Sequence, residues 1–235
     1  MSEASELNVV NSHLQFPKVS LIEPASSRFI HIAAEIDRRP AFLPSSEGKR
    51  RLIAQCKQLC ARLQKEPGVT SAVVFRALII PPGRGELAKR RADRVHIARF
   101  DFSVLIESET DEAMDRVQSH SAYKEMIQAV AQAASYVHSI VATNTRRIGP
   151  VDHTHQGVFL FNYFFADSVA QNLAVWDYTA GWFAAETGLD NSTVLLPIEP
   201  SASKYSVINH CRWNRLRDIL PSLIFKRSFH SYVLE

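Results

Sequence analysis

Ser121-Ala122-Tyr123-Lys124-Glu125-Met126-Ile127 and Arg227-Ser228-Phe229-His230-Ser231-Tyr232-Val233 are the stretches whose reading decides the fold. They occupy similar places in two runs with the same order of elements. Residues 28–148 read strand–helix–strand–strand–helix–strand. Residues 157–235 start that order again and stop inside what should be the second helix. A repeated split β-α-β unit implies two similar sheets packed on each other, with pockets inside the units.

Working outward, residues 1–27 lack periodicity and read as an arm, partly disordered or laid on the surface. The first unit spans 28–149. Arg28–Asp37 is a strand, and Ser45 or Ser46 can cap a helix running to about Lys65. Leu52, Ile53, Cys56, Leu59, Cys60 and Leu63 recur at intervals of three and four, so that helix buries one face. Val69–Ile80 is a second strand, and Pro81 to Arg91 reads as a solvated hairpin tip. Val95–Ser108 is a third strand, with His96, Ala98, Phe100, Phe102 and Val104 on one face. A helix from Thr110 breaks near Ser119–Ser121 and resumes to about Ala134, and Tyr136–Ile148 is a fourth strand.

Residues 150–156 are a linker, and 157–235 form the second unit. Val158–Ala166 is an apolar strand; Asp167-Ser168 caps a helix that stops at Gly188. Ser192–Ile198 and Tyr205–Trp213 are strands around a Pro200–Lys204 turn. Leu216–Glu235 reads as helical, interrupted at Pro221. The fold class is therefore α+β: two antiparallel four-stranded sheets, each with helices on one face, packed face to face within one chain. A barrel-closing strand equivalent to Tyr136–Ile148 is expected to be absent. A truncated chain, residues 1–27 or a partner strand are the candidates for the exposed edge.

The 235 residues carry a net charge of only +3, too mild to imply nucleic acid. No apolar run is long enough for a membrane helix, and no secretory signal is visible at Met1–Glu6. A cytoplasmic location and no membrane partner are the expectations. Cys56, Cys60 and Cys211 read as small buried apolar residues in a reducing compartment. Gly-rich phosphate loops, GxSxG and paired CxxC motifs are lacking, which disfavours nucleotide-dependent and serine-hydrolase chemistry.

Polar groups inside apolar surroundings gather in the second unit. Asn162 interrupts Phe159-Leu160-Phe161-Asn162-Tyr163-Phe164-Phe165. Its amide is either bonded to a neighbouring backbone or aimed into a ligand pocket. Tyr163 takes the other strand face. Trp176 and Trp182 on one helix suggest an aromatic cavity, although such stripes also build cores. In Asn209-His210-Cys211-Arg212-Trp213, alternation puts Asn209, Cys211 and Trp213 on one face and His210 on the other. His210 is either a general base or a strand histidine bonded to backbone. Asp190-Asn191-Ser192-Thr193 reads first as a turn. Asp152, His153 and His155 have a metal-ligand flavour confined to one short segment.

Element order, Phe161-Asn162-Tyr163 in an opening strand and Cys211-Arg212-Trp213 ending a third strand resemble the dimeric α+β barrel superfamily, in particular its antibiotic biosynthesis monooxygenase-like group. There, two ferredoxin-like units place their sheets face to face, usually as a homodimer; here both lie in one chain. The resemblance implies Asn162 as an orienting amide and Trp213 as a ring-stacking residue, as in cofactor-free oxygenases. The histidine that haem-degrading members place beyond that tryptophan is missing from Asp218–Leu223.

The leading expectation is a cofactor-independent monooxygenase-like enzyme acting on a planar aromatic or polyketide-like molecule. Asn162 and His210 are its catalytic candidates. Tyr163, Trp176, Trp182, Asn209 and Trp213 are the substrate-binding ones. The alternatives are a non-catalytic barrel that binds a small apolar or aromatic ligand or serves a stress response, and a haem protein using His153, His155 or His210. A homodimer is left open. Fold sharing does not decide among these.

Overall fold

A computed structural model describes residues 13–37, 39–40, 43–80 and 95–234. Its strands are β1 (Arg28–Glu35), β2 (Val69–Arg76), β3 (Phe102–Ser108), β4 (Tyr136–Gly149), β5 (Val158–Phe164), β6 (Ser192–Pro197) and β7 (Val207–Trp213). Its helices are α1 (Glu47–Leu63), α2 (Asp111–Ser119), α3 (Ser121–Ala133), α4 (Val169–Thr187) and α5 (Leu216–Phe225), with a final π-helical turn at Phe229–Val233. The split β-α-β order thus runs through the first unit and restarts at β5. The Pro81–Arg91 hairpin tip lies outside the described residues. No helix among them is long and apolar enough to cross a membrane.

The seven strands form one curled sheet, ordered β2-β3-β1-β4-β6-β7-β5, with every pairing antiparallel. The two expected sheets are joined through β4 and β6, where Ala142 faces Pro197 and Thr143 faces Leu196. They still lie face to face, because the sheet curls until its ends meet: Phe75 on β2 touches Phe159 and Phe161 on β5, centroids 5.0 and 5.1 Å apart. The fold is therefore an α+β barrel built from tandem ferredoxin-like units. No strand follows β7 among the described residues, and Phe229–Val233 is helical.

Strand alternation divides the core. Outward-facing Ile30, Ile32, Ala34, Val104 and Ile106 pack under α1, α2 and α3. Inward-facing Phe29, Leu105, Ile140, Ala142, Leu195 and Ile208 fill the barrel with Phe161 and Tyr163. Helix starts follow their caps: Ser46 accepts from the Lys49 amide at 3.3 Å, and Thr110 from the Ala113 amide at 3.2 Å. The break before Ser121 occurs because His120 ends α2 with extended backbone and its Nδ1 accepts from the Ala122 amide at 2.9 Å, capping α3. Gly188, at φ +67°, ends α4 in the left-handed conformation that glycine favours.

Three local expectations are corrected. β3 begins at Phe102 rather than Val95, so Phe100 faces the barrel while Phe102 joins the helix-side core. The shift occurs at Asp101, whose carboxylate accepts from the amides of Ile36 and Asp37 and from buried Lys49 at 2.7 Å. Pro221 does not interrupt α5; the helix forgoes the one bond its nitrogen cannot make. β2 stops at Arg76, short of Ile80. The described part of the arm, 13–27, crosses the outside of the fold from β4 to α4. Ile22 donates to the Arg147 carbonyl at 3.0 Å, and the Pro17 carbonyl rests on Gly181 of α4.

Candidate functional site

β5 and β7 carry most of the predicted site, and their register sorts it. Phe161 pairs with His210, and Asn162 with Asn209. Directly paired residues of antiparallel strands share a face, so neighbouring pairs point to opposite sides of the sheet. Tyr163 and His210 face the barrel interior. Asn162, Asn209 and Trp213 face the helix layer with Trp176 of α4. All the sequence-predicted residues but Trp182 therefore occupy two places separated by the sheet.

On the helix side, Leu160, Asn162, Phe164, Trp176, Thr179, Phe183, Asn209 and Cys211 surround a cavity of about 20 Å³. That is room for about one water. Asn209 is fixed there, accepting from Ser192 Oγ at 2.5 Å. Burial pushes the Cys211 thiol far up, so it stays protonated. The Trp213 indole donates to Thr187 Oγ1 at 3.0 Å and packs with Leu189, Cys211 and Ile219. Trp182 belongs to neither place; it donates to Ser228 Oγ at 3.0 Å and ties α4 to the C-terminal turn.

On the barrel side a groove of about 680 Å³ opens between β2 and β5. Phe75, Phe100, Phe159, Phe161 and Tyr163 line it, with His153, the chain after β2 and one side of α5. Curling brings these rings together: Phe100 lies 4.8 Å from Tyr163, and His153 stacks on Phe159 at 5.7 Å. Behind His153 sits fully buried His210, the two Nε2 atoms 2.8 Å apart. One ring must donate and the other accept, which suits two neutral imidazoles. Burial, the largest cause, holds His153 down to about 4 and His210 well below its ordinary value. Nearby Asp152 opposes the shift at His153.

The histidine pair continues inward. His31, fully buried, stacks on Phe161 at 4.8 Å, and its Nε2 meets Tyr163 Oη at 2.9 Å. Burial and then His138 hold His31 down to about 3; burial and then His96 hold His138 to about 4. Burial keeps the Tyr163 phenol protonated. Two hydrogen-bonded pairs, His153–His210 and His31–Tyr163, thus lie along the barrel interior, separated by Phe161, which stacks on both His210 and His31.

Sequence reasoning grouped His153 with Asp152 and His155 as a segment of metal-ligand flavour without making it a metal site, and did not place it beside His210. It did not single out His31, Phe75 or Phe100. His31 was within reach: in Phe29-Ile30-His31-Ile32 it alternates with residues of the opposite face. Asp152 and His155 bond each other at 2.6 Å on the surface, and no three His, Cys, Asp or Glu side chains among the described residues converge as metal ligands.

Neither a family model nor a curated protein matches the chain. Solved structures do. An anthrone oxidase-like protein aligns with a TM-score of 0.58 at 9% identity, covering 88% of this chain and 82% of the other. A candidate monooxygenase of Fusobacterium nucleatum aligns with a TM-score of 0.51 at 10% identity, covering 86% and 82%. A dimeric ferredoxin-like protein of unknown function from Bacteroides fragilis, at a TM-score of 0.36 and 10% identity, covers 52% of this chain and 99% of its own. At these identities the likeness is one of fold.

Proposed function

We propose, from the α+β barrel fold and the chemistry of its groove, that this chain binds a planar aromatic or polyketide-like molecule between β2 and β5 and oxidises it in the manner of a cofactor-independent monooxygenase. The observation that carries the reading is the groove of about 680 Å³ walled by Phe75, Phe100, Phe159, Phe161 and Tyr163, with His153 in its wall and buried His210 bonded behind it. That volume lies within the roughly 300–1,000 Å³ of small-molecule sites. Aromatic walls suit a flat ring system.

If His153 donates from Nε2 to His210, its Nδ1 lone pair remains to take a proton. An activated CH₂ group beside an aromatic ketone would lose its proton there, leaving a delocalised carbanion. Dioxygen would add to that carbon, the proton would return to the peroxide, and loss of water would leave a carbonyl. The sum is CH₂ + O₂ → C=O + H₂O. Low basicity of a buried imidazole slows proton removal, so the substrate must be a carbon acid that aromatic conjugation makes unusually strong. Tyr163, tied to His31, would hold the ketone oxygen.

Asn162 and His210 lie on opposite faces of the sheet, so they would not act on the same bound molecule. Asn162, Asn209, Trp176 and Trp213 then shape the second unit beneath α4 instead of touching this substrate. That separation also favours the second reading, a barrel that binds an aromatic ligand without turning it over.

An anthrone, suggested by the name of the anthrone oxidase-like neighbour, is a suitable probe. Titration should quench its fluorescence, and oxygen uptake should match ketone formed mole for mole. His153→Phe and His210→Phe should lower the rate about 10²-fold or more. Binding without oxygen uptake would favour the second reading. Absence of saturable binding by this and similar tricyclic ketones would overturn both.

A further inference from the structure

The groove has a feature that ring binding does not require: its permanently charged lining is of one sign. Among the described residues that border it, Lys57 of α1 and Arg76 of β2 are cations, and no aspartate or glutamate stands with them. Arg76 pairs with Phe102 of the helix-side core, so it points to the side of β2 on which α1 packs. Both cations therefore belong to one wall, at the rim outside the barrel, while Phe75, Phe161 and Tyr163 line the interior.

Among the described residues neither cation has an ion pair, while other cations of α1 do: Lys49 with Asp101, Arg51 with Glu47 and Arg62 with Glu125. Lys57 differs because Ile53, Ala54, Cys60 and Ala61, the residues within ion-pairing reach along the helix, hold no carboxylate. Asp152 on the linker is already engaged by Thr154 and His155. Lys57 and Arg76 are both exposed. The interior offers an anion no such help, since burial keeps His153 neutral and the Tyr163 phenol protonated. A carboxylate carried in among the rings would lose its water without gaining a counter-charge. At the rim it would keep water and meet two cations.

We propose that the ligand of this groove is an aromatic carboxylic acid, and that Lys57 and Arg76 select it by holding its carboxylate at the rim while its rings lie on the aromatic wall. Arg76 supplies a planar two-pronged donor that matches a carboxylate, and Lys57 a point charge on a mobile stem. The two cations also orient the molecule: the acid end stays outward, and the end that reaches Tyr163 is the uncharged one. The inference deepens the binding reading above and rests on it, but it does not depend on turnover.

The test uses the full chain and two fluorescent probes with the same rings, an anthracenecarboxylate and the corresponding carboxamide, titrated at neutral pH and low ionic strength. The carboxylate should bind about tenfold tighter or better, the worth of one or two charge-assisted hydrogen bonds. Added salt should shrink that advantage, because both cations are exposed. The double variant Lys57→Gln/Arg76→Gln should abolish it and leave the affinity for the carboxamide unchanged. Lys124→Gln, at an exposed cation of α3 that does not border the groove, should keep it. Equal affinity for the two probes in the wild type overturns the proposal and leaves the aromatic groove standing. An advantage that survives the double variant, or one that Lys124→Gln also removes, overturns it as well, since the attraction would then lie elsewhere or be diffuse. Failure of both probes to bind saturably would remove the groove reading and this inference with it.

Discussion

Lowering the pH from 7 to 5 should destabilise this fold well beyond what its surface charges would cause. The perturbation acts on four of the nine histidines, His31, His138, His153 and His210, all facing the barrel. His138 and His153 are held to about 4, His31 to about 3 and His210 well below its ordinary value, with burial the first cause each time. In the unfolded chain the same rings titrate near 6.5. Between these values the unfolded state binds more protons, so stability is full above about pH 6.5 and falls as the pH drops. At pH 5 each ring has forgone about 2 kcal/mol. Simple addition gives about 8 kcal/mol, but contacting rings titrate together, and half of that sum is the working figure. About 4 kcal/mol is a large share of the 5–15 kcal/mol a domain typically has, and for a chain of this size corresponds to roughly 8–16 °C in Tm. Asp37 and Asp152 do not contribute, because hydrogen bonds, from Arg39 and Thr154 first, keep both ionised throughout this window. Far-UV circular dichroism melts at pH 8, 7, 6 and 5 should show little change between 8 and 7 and a steepening fall below 6.5. The double variant His31→Phe/His210→Phe should flatten the profile by about half. A Tm that is level from pH 7 to 5, or a fall that the double variant leaves intact, would refute the interior-histidine argument.

Asp101→Ala should cost about 3–5 kcal/mol in a urea titration, because it strands the buried Lys49 ammonium and removes the acceptor for Ile36 and Asp37. The pair Asp101→Leu/Lys49→Met should recover part of that loss. Gly181→Ala places a Cβ 2.3 Å from the Pro17 carbonyl, so the arm must lift from α4; limited proteolysis should then cut within residues 13–27 sooner than in the wild type. Among the described residues Asn162 has no side-chain hydrogen-bond partner, and its cavity beneath α4 is mostly apolar. Asn162→Leu should therefore leave Tm unchanged or raise it, and a fall of several degrees would show that the amide has a partner.

The order of elements was legible because the strong local signals agree with the fold. Leu52, Cys56, Leu59 and Leu63 hold one helical face, Gly188 stops α4, and the break before Ser121 appears where His120 caps the next helix. What misled was a period carried across an irregularity. Counting by twos from His96 puts Phe100 with Phe102, but Asp101 binds three donors at a bend, and the count restarts there. No local pattern announces that restart, since Lys49 and Ile36 come from distant parts of the chain.

The candidate site illustrates the same limit from the other side. Alternation within β5 and β7 was read correctly, and it already required Trp213 and His210 to face apart. Treating both as parts of one pocket set that geometry aside in favour of their chemistry. Which face held a ligand-sized space could not follow from either strand alone. The groove exists because the sheet curls until Phe75 meets Phe161, while β2 and β5, running in the same direction, do not pair with each other. Its polar wall likewise joins His153 of the linker to His210 of β7, 57 residues apart. Neither histidine has a sequence neighbour that explains its low basicity. The cause is burial, with the other histidines second at His210, and burial is a property of the closed barrel that only long-range pairing creates.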